Sequence, residues 1–455
     1  MARMSTIPAP SPGRVPTAGD RSVAIVGLGY VGLPLALAFH EAGLRVAGID
    51  ADPGRVAQLL ASSSPIDDVG DARLGEAIGG GLAIVGLDPT AVGGADVVIV
   101  CVPTPINGSR DPDLGAVLAA ARFVGGGIRP GQLVILQSTT FPGTTTGPFR
   151  AVLEEASGLV AGRDFDLAFV PERVNPGDPE SAGRTIPRVV GGLTPEATRR
   201  TAELFSNVNT TVVQVSSPDV AELAKLHENI FRNVNIALVN QLALLCERMG
   251  VDVWEVIDAA RTKPFGFMPF SPGPGVGGHC IPVDPYYLSW RARQFGFVDR
   301  FVELAGDINM SMPRHVVDLV AEALNARQRS LRGATVGILG VAFKADVRDA
   351  RNAPAADVMA LLRARGAEVA YHDPHVPSFV DADGVHHTGS ALEDVLARAD
   401  AVVILVRHRA IDWPVVFERA GLIVDTVGEA RGRPVRAEQV LLLGAGWVPA
   451  GRAAD

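Results

Sequence analysis

Gly27-Leu28-Gly29-Tyr30-Val31-Gly32 stands between a strand-like run, Ser22–Val26, and an apolar-periodic stretch, Val31–Ala42. A strand that enters a helix through glycines at this spacing has few folds open to it. The first glycine makes the tight turn, the second lets backbone approach a pyrophosphate, and the third lets the helix pack close to the strand. The helix N-terminus then offers N–H donors to the phosphates. Gly43 ends the helix, Arg45–Ile49 reads as the second strand, and Asp50 follows it. A carboxylate in that place accepts from ribose hydroxyls. The glycines alone could serve a turn that binds nothing; Asp50 behind them favours a bound dinucleotide. Asp50 would repel a 2′-phosphate, which favours NAD over NADP, although Arg55 close by can accommodate such a phosphate.

Further strands are expected at Leu82–Gly86, Val97–Val102, Leu133–Gln137 and Leu167–Val170, with helical segments between several of them. That alternation implies a parallel sheet covered on both faces. The pattern changes near residue 216. Ser217 can cap a helix and Pro218 suits its first turn. Asp219–Met249 then runs without Gly or Pro and with apolar residues at helical spacing, which predicts one helix of about thirty residues. More helix is expected at Val253–Ala260, Tyr286–Gln294 and Pro313–Ala326. A second alternating unit follows: strands at Thr335–Leu339, Val369–His372, Ala401–Val406 and Leu422–Asp425, with a helix at Pro354–Arg365. The fold class is therefore α/β, two Rossmann-like parallel-sheet domains joined by a central helical domain with one long helix. The expected boundaries are a disordered tail at 1–20, the NAD-binding domain at 21–215, the helical domain at 216–328 and the second Rossmann-like domain at 329–455.

Bulk properties narrow the function. A chain of 455 residues is too long for one core. A net charge of −9 argues against a nucleic-acid partner. No apolar run reaches the roughly 18 residues of a membrane span. The first twenty residues hold Pro8, Pro10, Pro12 and Pro16 without an apolar signal core. Three cysteines form neither a disulfide framework nor a metal-spaced cluster, so no metal is expected and a reducing cytoplasm fits.

The chemistry concentrates in Gly273-Pro274-Gly275-Val276-Gly277-Gly278-His279-Cys280-Ile281-Pro282-Val283-Asp284-Pro285. Glycines let backbone approach a ligand, and a thiol set among them can attack an electrophile once its pKa is lowered. A nucleophilic cysteine beside a nicotinamide cofactor suggests an oxidation by way of an aldehyde and a thioester. Cys101, inside an apolar strand, and Cys246, on the long helix, read as core residues. Val102-Pro103-Thr104-Pro105 and Ser138-Thr139-Thr140-Phe141-Pro142-Gly143 each follow a buried strand, at the carboxyl ends where ligands bind in open α/β sheets. Their hydroxyls could hold the nicotinamide or order a water, or simply cap helices. Lys225 and Asn229 share one face of the long helix and suit an oxyanion, with Arg232 on a nearby face. A solvated helix face is the plain alternative, but the helix is largely apolar, so a buried polar stripe is expected there. Lys344, Asp346, Arg348, Asp349 and Arg351 crowd the turn after Thr335–Leu339, with Asn352 expected to cap the next helix. Cations beside a helix N-terminus suit a diphosphate; a local salt-bridge network is the alternative. This turn lacks the three spaced glycines, so it reads as binding a nucleotide ligand and not a second dinucleotide.

These motifs, in this order from about Ser22 to the C-terminus, resemble the nucleotide-sugar 6-dehydrogenases, the group of UDP-glucose and GDP-mannose dehydrogenases. The cysteine loop through Leu288, and Pro171-Glu172-Arg173-Val174-Asn175-Pro176-Gly177, look most like its UDP-N-acetylglucosamine branch. The resemblance implies Cys280 as nucleophile, with Lys225, Asn229 and Asp284 around the reacting oxygen and a water. It implies that Thr139 and Glu172 order or activate that water, and that Lys344 and Arg351 hold the nucleotide. Glu172, Arg173, Lys225, Asn229, Arg232, Gly275, Gly277 and Gly278 are the implied sugar-side contacts. Gly27, Gly29, Tyr30, Val31, Gly32, Asp50, Arg55, Pro103, Thr104, Ser138 and Thr139 are the implied NAD contacts. Val283 replaces a lysine of the UDP-glucose enzymes, and Pro176 stands near the place of their second glutamate. Both differences point away from UDP-glucose. His279 is read as loop structure or a sugar contact.

The expected reaction is a four-electron oxidation of the primary alcohol of UDP-N-acetylglucosamine to the uronic acid. It passes through a Cys280 thiohemiacetal and thioester and yields two NADH. Asp284 through a water, or Lys225, removes the hydroxyl proton. UDP-N-acetylmannosamine and UDP-glucose are the alternative substrates. A hydroxyacid-type dehydrogenase and a non-catalytic nucleotide-sugar sensor are the rival functions. The long helix carries more apolar residues than one packed face needs, among them Leu223, Leu226, Ile230, Phe231, Leu238, Val239 and Leu245. Burial on several sides is expected, and a homodimer through that helix, which the resemblance also implies.

Overall fold

The computed structural model describes residues 21–66, 69–107, 110–173 and 186–451. The expected tail at 1–20, and Val174–Gly177 of the quoted signature, lie outside the described residues. The chain divides into two compact units, one running to Glu228 and taking in Tyr286–Phe297, the other Asn229–Pro285 with Val298 onward. The helix Pro218–Met249 spans 32 residues and passes from the first unit into the second. No helix among the described residues is long and apolar enough to cross a membrane.

In the first unit the strands are β1 (Ser22–Val26), β2 (Arg45–Ile49), β3 (Ala83–Val85), β4 (Val97–Val100), β5 (Leu133–Leu136), β6 (Asp166–Phe169), β7 (Arg188–Gly192) and β8 (Val212–Val215), in the order β3-β2-β1-β4-β5-β6-β7-β8. β4 (Val-Val-Ile-Val) and β5 (Leu-Val-Ile-Leu) are buried throughout. A parallel sheet covered on both faces requires such continuous apolar strands. One apolar cluster gathers Leu28, Phe39 and Phe205, and a second gathers Val124, Phe149 and Phe169.

The sheet is parallel, as expected, but for one pair that involves β7, a strand the sequence reading did not place. β6 and β7 pair antiparallel, with Ala168 opposite Gly192 and Phe169 opposite Gly191. Parallel pairing needs a crossover, usually helical, of about a dozen residues. The intervening sequence carries Pro171, Pro176, Pro179 and Pro187, a poor composition for a helix.

The long helix starts as expected, with Ser217 Oγ accepting from Val220 N at 3.3 Å. Its surface divides into stripes. Glu222, Lys225, Asn229, Asn233 and Asn240 are buried, at spacings that keep them on one face. Leu226 and Val239 are buried, whereas Phe231, Leu238 and Leu245, each seven residues from the next, are exposed. Within the single chain, then, one apolar stripe of the helix stays exposed.

In the second unit the helix Arg300–Ala326 runs straight through Pro313, although the sequence reading began it there. A proline at that point removes the donor that would reach the Asn309 carbonyl. Burial offsets the loss: Met312, Pro313, Val316 and Val317 are all enclosed. The earlier start has a signal of its own, Asp299, whose side chain accepts from Val302 N. Asn309 Nδ2 donates to Asn233 Oδ1 at 2.8 Å and its Oδ1 accepts from Asn240 Nδ2 at 3.0 Å.

The second sheet contains β9 (Thr335–Leu339), β10 (Glu368–His372), β13 (Ala401–Ile404), β14 (Ile423–Asp425), β15 (Val440–Leu442) and β16 (Gly446–Trp447), in the order β10-β9-β13-β14-β15-β16. β16 is antiparallel to β15, and β11 (Ser378–Val380) and β12 (His386–Thr388) form a separate hairpin. Asp373 follows β10 as Asp50 follows β2, but it is sealed in. Its Oδ2 accepts from Val341 N (2.7 Å), Ala342 N (3.0 Å) and His408 Nε2 (3.0 Å), and its Oδ1 from His375 N (2.8 Å) and Val376 N (3.0 Å). Asp346 N donates to His408 Nδ1 at 3.0 Å, so the imidazole proton sits on Nε2.

Burial pushes the Asp373 carboxyl upward, but the bonds from His408 and the backbone amides outweigh it and hold it down at about 2. Asp373→Ala should therefore cost roughly 3 kcal/mol or more, since several buried donors lose their acceptor. The folded value lies below the unfolded one near 4, so this stabilisation is complete above pH ~4 and is lost as pH falls through about 2. Urea unfolding of both proteins at pH 7 and near pH 2.5 checks this; an equal gap at both would contradict it.

Candidate active site

The cofactor end is built where β1 and β4 lie side by side with their connections leaving in opposite directions, the crevice in which doubly wound sheets bind ligands. Gly27 has φ +94°, and a Cβ there would lie 2.4 Å from the Cys101 carbonyl oxygen. A Cβ on Gly32 would lie 1.8 Å from the Gly27 oxygen. Gly29 is open, with only the Arg55 guanidinium near it at 3.5 Å. The helix Gly32–Glu41 has no acid in its first turn and no side-chain cap, so no side chain competes with an anion at its N-terminus. Tyr30 is exposed and Val31 half-buried beside them. Asp50 Oδ2 accepts from Leu28 N at 2.8 Å and its Oδ1 from Asp52 N at 2.9 Å, which fixes the carboxylate against the glycine turn. This cradle fits a dinucleotide: space beside the Gly29 backbone, a helix N-terminus without a side-chain cap, and an oriented acid.

The strand-end loops are held from behind. Ser138 Oγ donates to Val102 O at 2.8 Å and accepts from Val102 N at 2.9 Å, tying the ends of β4 and β5 together. Tyr287, fully buried, donates to the carbonyls of Thr104 and Pro105, beside Pro103. Thr139 is half-buried, and the buried Thr140 Oγ1 has no partner among the described residues. Glu222 accepts from Gly143 N (2.7 Å), Thr145 N (2.9 Å) and Thr145 Oγ1 (2.6 Å). Burial pushes its carboxyl up to about 7 against those bonds. Lys225, three residues on, is 8% exposed. Glu172 Oε2 accepts from Arg188 Nη1 at 2.8 Å and Gln137 Nε2 at 2.9 Å. Arg173 pairs with Glu228 at 2.7 Å.

The second unit carries the thiol. Gly275 has φ +130° and its Cβ position meets Pro354 and the Asn309 carbonyl; a Cβ on Gly277 would stand 2.9 Å from Phe343 Cβ and 3.0 Å from Asn352 O. Gly278 packs on the Phe343 ring. The loop is anchored at its start by Gly273 N donating to Asn240 Oδ1 at 3.0 Å. Asn352 does not cap the following helix as expected. Pro354 holds Ala353 in the extended N-cap conformation, and Asn352, at φ +52°, donates to Gly278 O at 3.2 Å instead. The loop ends in an exposed Cys280, whose carbonyl accepts from Asp284 N at 2.8 Å. Asp284, buried at the start of the helix Asp284–Arg293, accepts from Asn229 Nδ2 at 2.5 Å. Arg232 is exposed. A pocket of about 280 Å³ lies between Pro274, Gly275, Phe343, Lys344, Val406 and Arg407, beside the point where β9 and β13 diverge. Arg351 grips Asp349 at 2.6 Å and Asp346 grips Arg409 at 2.6 Å, so part of this charge cluster is a local network.

Sequence reasoning missed Glu222, Arg188, Gln137 and Tyr287. Glu222 stood within the quoted helix segment, three residues before Lys225, and only its burial reveals its use. Arg188 and Gln137 are far apart in sequence and carry no motif.

The chain matches the UDP-glucose/GDP-mannose dehydrogenase family over all three of its domains: the NAD-binding domain at residues 21–209, the central domain at 219–311 and the UDP-binding domain at 337–429. It is 37% identical over 392 residues to a UDP-N-acetyl-D-glucosamine 6-dehydrogenase of Pseudomonas aeruginosa, covering 86% of this chain and 91% of the relative. A solved UDP-D-ManNAc dehydrogenase from Pyrococcus horikoshii superposes with a TM-score of 0.85 at 33% identity, covering 93% of this chain and 99% of that one. A UDP-glucose dehydrogenase from Pyrobaculum islandicum gives 0.81 at 30% identity, covering 96% and 100%.

Cys280 is exposed, whereas Cys101 and Cys246 are buried and burial pushes both thiols up. Buried thiols of that kind are inert. Titration of the native protein with a disulfide reagent should find one fast thiol per chain, absent in Cys280→Ser, and three after denaturation. A second fast thiol in the native Cys280→Ser protein would contradict it.

Proposed function

Since the chain belongs to the UDP-glucose/GDP-mannose dehydrogenase family, an NAD-dependent group of oxidoreductases, we propose that it converts the primary alcohol of UDP-N-acetylglucosamine to the uronic acid in two successive oxidations. The observation that carries this reading is the exposed Cys280 at the end of its glycine loop, one helical turn before a buried Asp284 that Asn229 holds at 2.5 Å. A single alcohol oxidation has no use for such a thiol.

NAD, held by Gly27, Gly29, Gly32 and Asp50, supplies the hydride acceptor in both oxidations. Pro103, Thr104, Ser138 and Thr139 belong to the nicotinamide end. Lys344 and Arg351 hold the nucleotide of the substrate. Asp284 through a water, or Lys225, takes the hydroxyl proton as the first hydride leaves. The Cys280 sulfur bonds to the aldehyde carbon, which keeps a reactive intermediate on the enzyme. Loss of the second hydride leaves a thioester. Water, held by Glu172 and Thr139, adds to it; Lys225 and Asn229 stabilise the oxyanion, the carbon–sulfur bond breaks, and the acid is released. Two NADH form per sugar.

Val283 in place of lysine and 37% identity to a UDP-N-acetyl-D-glucosamine 6-dehydrogenase favour the N-acetylglucosamine substrate. The TM-score of 0.85 against a UDP-D-ManNAc dehydrogenase supports the second reading, the manno epimer. An absorbance assay over UDP-glucose and the N-acetylated gluco, manno and galacto sugars tests both. The expected result is highest kcat/KM with UDP-N-acetylglucosamine and two NADH per acid. One NADH with a free aldehyde would overturn the thioester route. Cys280→Ser should bind NAD normally and lose at least a thousandfold in acid formation; near-normal acid formation would remove Cys280 as nucleophile.

The exposed stripe Phe231, Leu238, Leu245 and Met249 on the long helix supports a homodimer formed through that helix. Leu238→Glu with Leu245→Glu should shift the light-scattering mass from dimer to monomer at micromolar concentration. A wild-type monomer would sink the assignment.

A further inference from the structure

The antiparallel pairing of β6 and β7 has a chemical consequence. Phe169 faces Gly191, and the same register extended by three residues sets Glu172 opposite Arg188. β7 starts at the edge where β6 ends, and β5, parallel to β6, ends there too, leaving Gln137 at the same edge. The three side chains meet. Arg188 Nη1 and Gln137 Nε2 both donate to Glu172 Oε2, at 2.8 and 2.9 Å, while Arg173 N donates to Oε1 at 2.7 Å. The Arg188 side chain is 7% exposed and that of Glu172 17%. Arg188 is itself fixed: its Nε reaches Asn209 Oδ1 at 3.4 Å and its guanidinium lies over the Phe205 ring at 5.5 Å.

A carboxylate held at both oxygens by three donors from three segments has one orientation. With the carboxylate orientation set, any water it holds is aimed in a set direction, which is what attack requires. A glutamate on a loop after a strand would otherwise sample several rotamers. We propose that Arg188, with Gln137, is a positioning residue for the hydrolytic half of the reaction, acting through Glu172. This rests on the reading of Glu172 as the residue that holds the attacking water. In that step the water oxygen bonds to the acyl carbon and the carbon–sulfur bond breaks. One water proton ends on the Cys280 sulfur, and the other leaves as the acid ionises. The hydride transfers do not use Glu172, so the defect of a misplaced Glu172 falls after the second NADH.

The test is a single-turnover experiment with UDP-N-acetylglucosamine and NAD, following NADH by absorbance and the Cys280 acyl adduct by intact mass after acid quench. The variants are Arg188→Lys, Gln137→Met and Glu172→Gln, each in the full chain. In Arg188→Lys and Gln137→Met the hydride steps should stay within about twofold of wild type. Decay of the adduct should slow about tenfold, so that acylated chains accumulate, with a larger effect in Glu172→Gln. Adduct decay at the wild-type rate in both Arg188→Lys and Gln137→Met, with slow decay in Glu172→Gln, would overturn the positioning role alone. Hydride transfer and decay falling by one common factor would reduce both residues to structural support and overturn it as well. Wild-type decay in Glu172→Gln would instead remove the reading on which it rests. Gln137→Met, which deletes no charge, decides the matter if Arg188→Lys does not fold.

Discussion

The buried polar face of the helix Pro218–Met249 is the constraint on which the rest depends. Polar side chains enclosed in a protein must find partners, because an unpartnered one costs about 1–3 kcal/mol. Here the partners belong to the loops that carry the chemistry. Glu222 takes the amides of Gly143 and Thr145, fixing the loop after β5. Asn229 takes Asp284, the carboxylate one turn after the thiol. Asn240, with Asn233 and Asn309, takes Gly273 at the root of the glycine loop. The polar groups that would destabilise an ordinary helix core thus fix where each loop begins or ends.

One sheet architecture serves two ligands because the residues at its switch points differ. After β2, Asp50 is turned against a turn in which Gly27 and Gly32 are closely approached and Gly29 is left open. After β10, Asp373 occupies the matching place but spends both oxygens on backbone amides and on His408. A carboxylate so consumed has little left for a ribose. The turn it supports is filled by Phe343, against which Gly277 and Gly278 pack. The second crevice therefore takes the glycine loop and leaves a pocket between Gly275 of that loop and Lys344.

The glycines of the cysteine loop are explained by what lies under them. Gly275 and Gly278 adopt φ values of +130° and +85°, and Gly277 has no room for a Cβ beside Phe343, Asn352 and Pro354. The loop that presents Cys280 is pressed onto the turn that carries Lys344 and Arg351. Displacement of one strains the other, which ties the placement of the thiol to the integrity of the nucleotide turn.

Much was legible in the sequence by itself, because the signals were local. The bounds of β1, β2 and β9 follow from apolar runs closed by turn residues. The long helix follows from Asp219–Met249, thirty-one residues without Gly or Pro, set between the Ser217-Pro218 start and Gly250. The glycine turn of Gly27, Gly29 and Gly32 with Asp50 behind it, and the four-residue interval from Cys280 to Asp284, are features of spacing alone. What tertiary structure decided involves partners distant in the chain. The direction of β7 is invisible in Arg188-Val-Val-Gly-Gly, since a strand buried on both faces reads alike in either orientation. That direction sets Arg188 against Glu172. The continuation of the helix Arg300–Ala326 through Pro313 depends on whether burial outweighs the missing donor, which no local rule can say. Asn352 looked like a cap and became a contact to Gly278, because the residue before Pro354 took the cap position. Periodicity and spacing fix an element and a motif; which polar group meets which is fixed only when the whole core has packed, since each buried donor takes whatever acceptor the packing brings within reach.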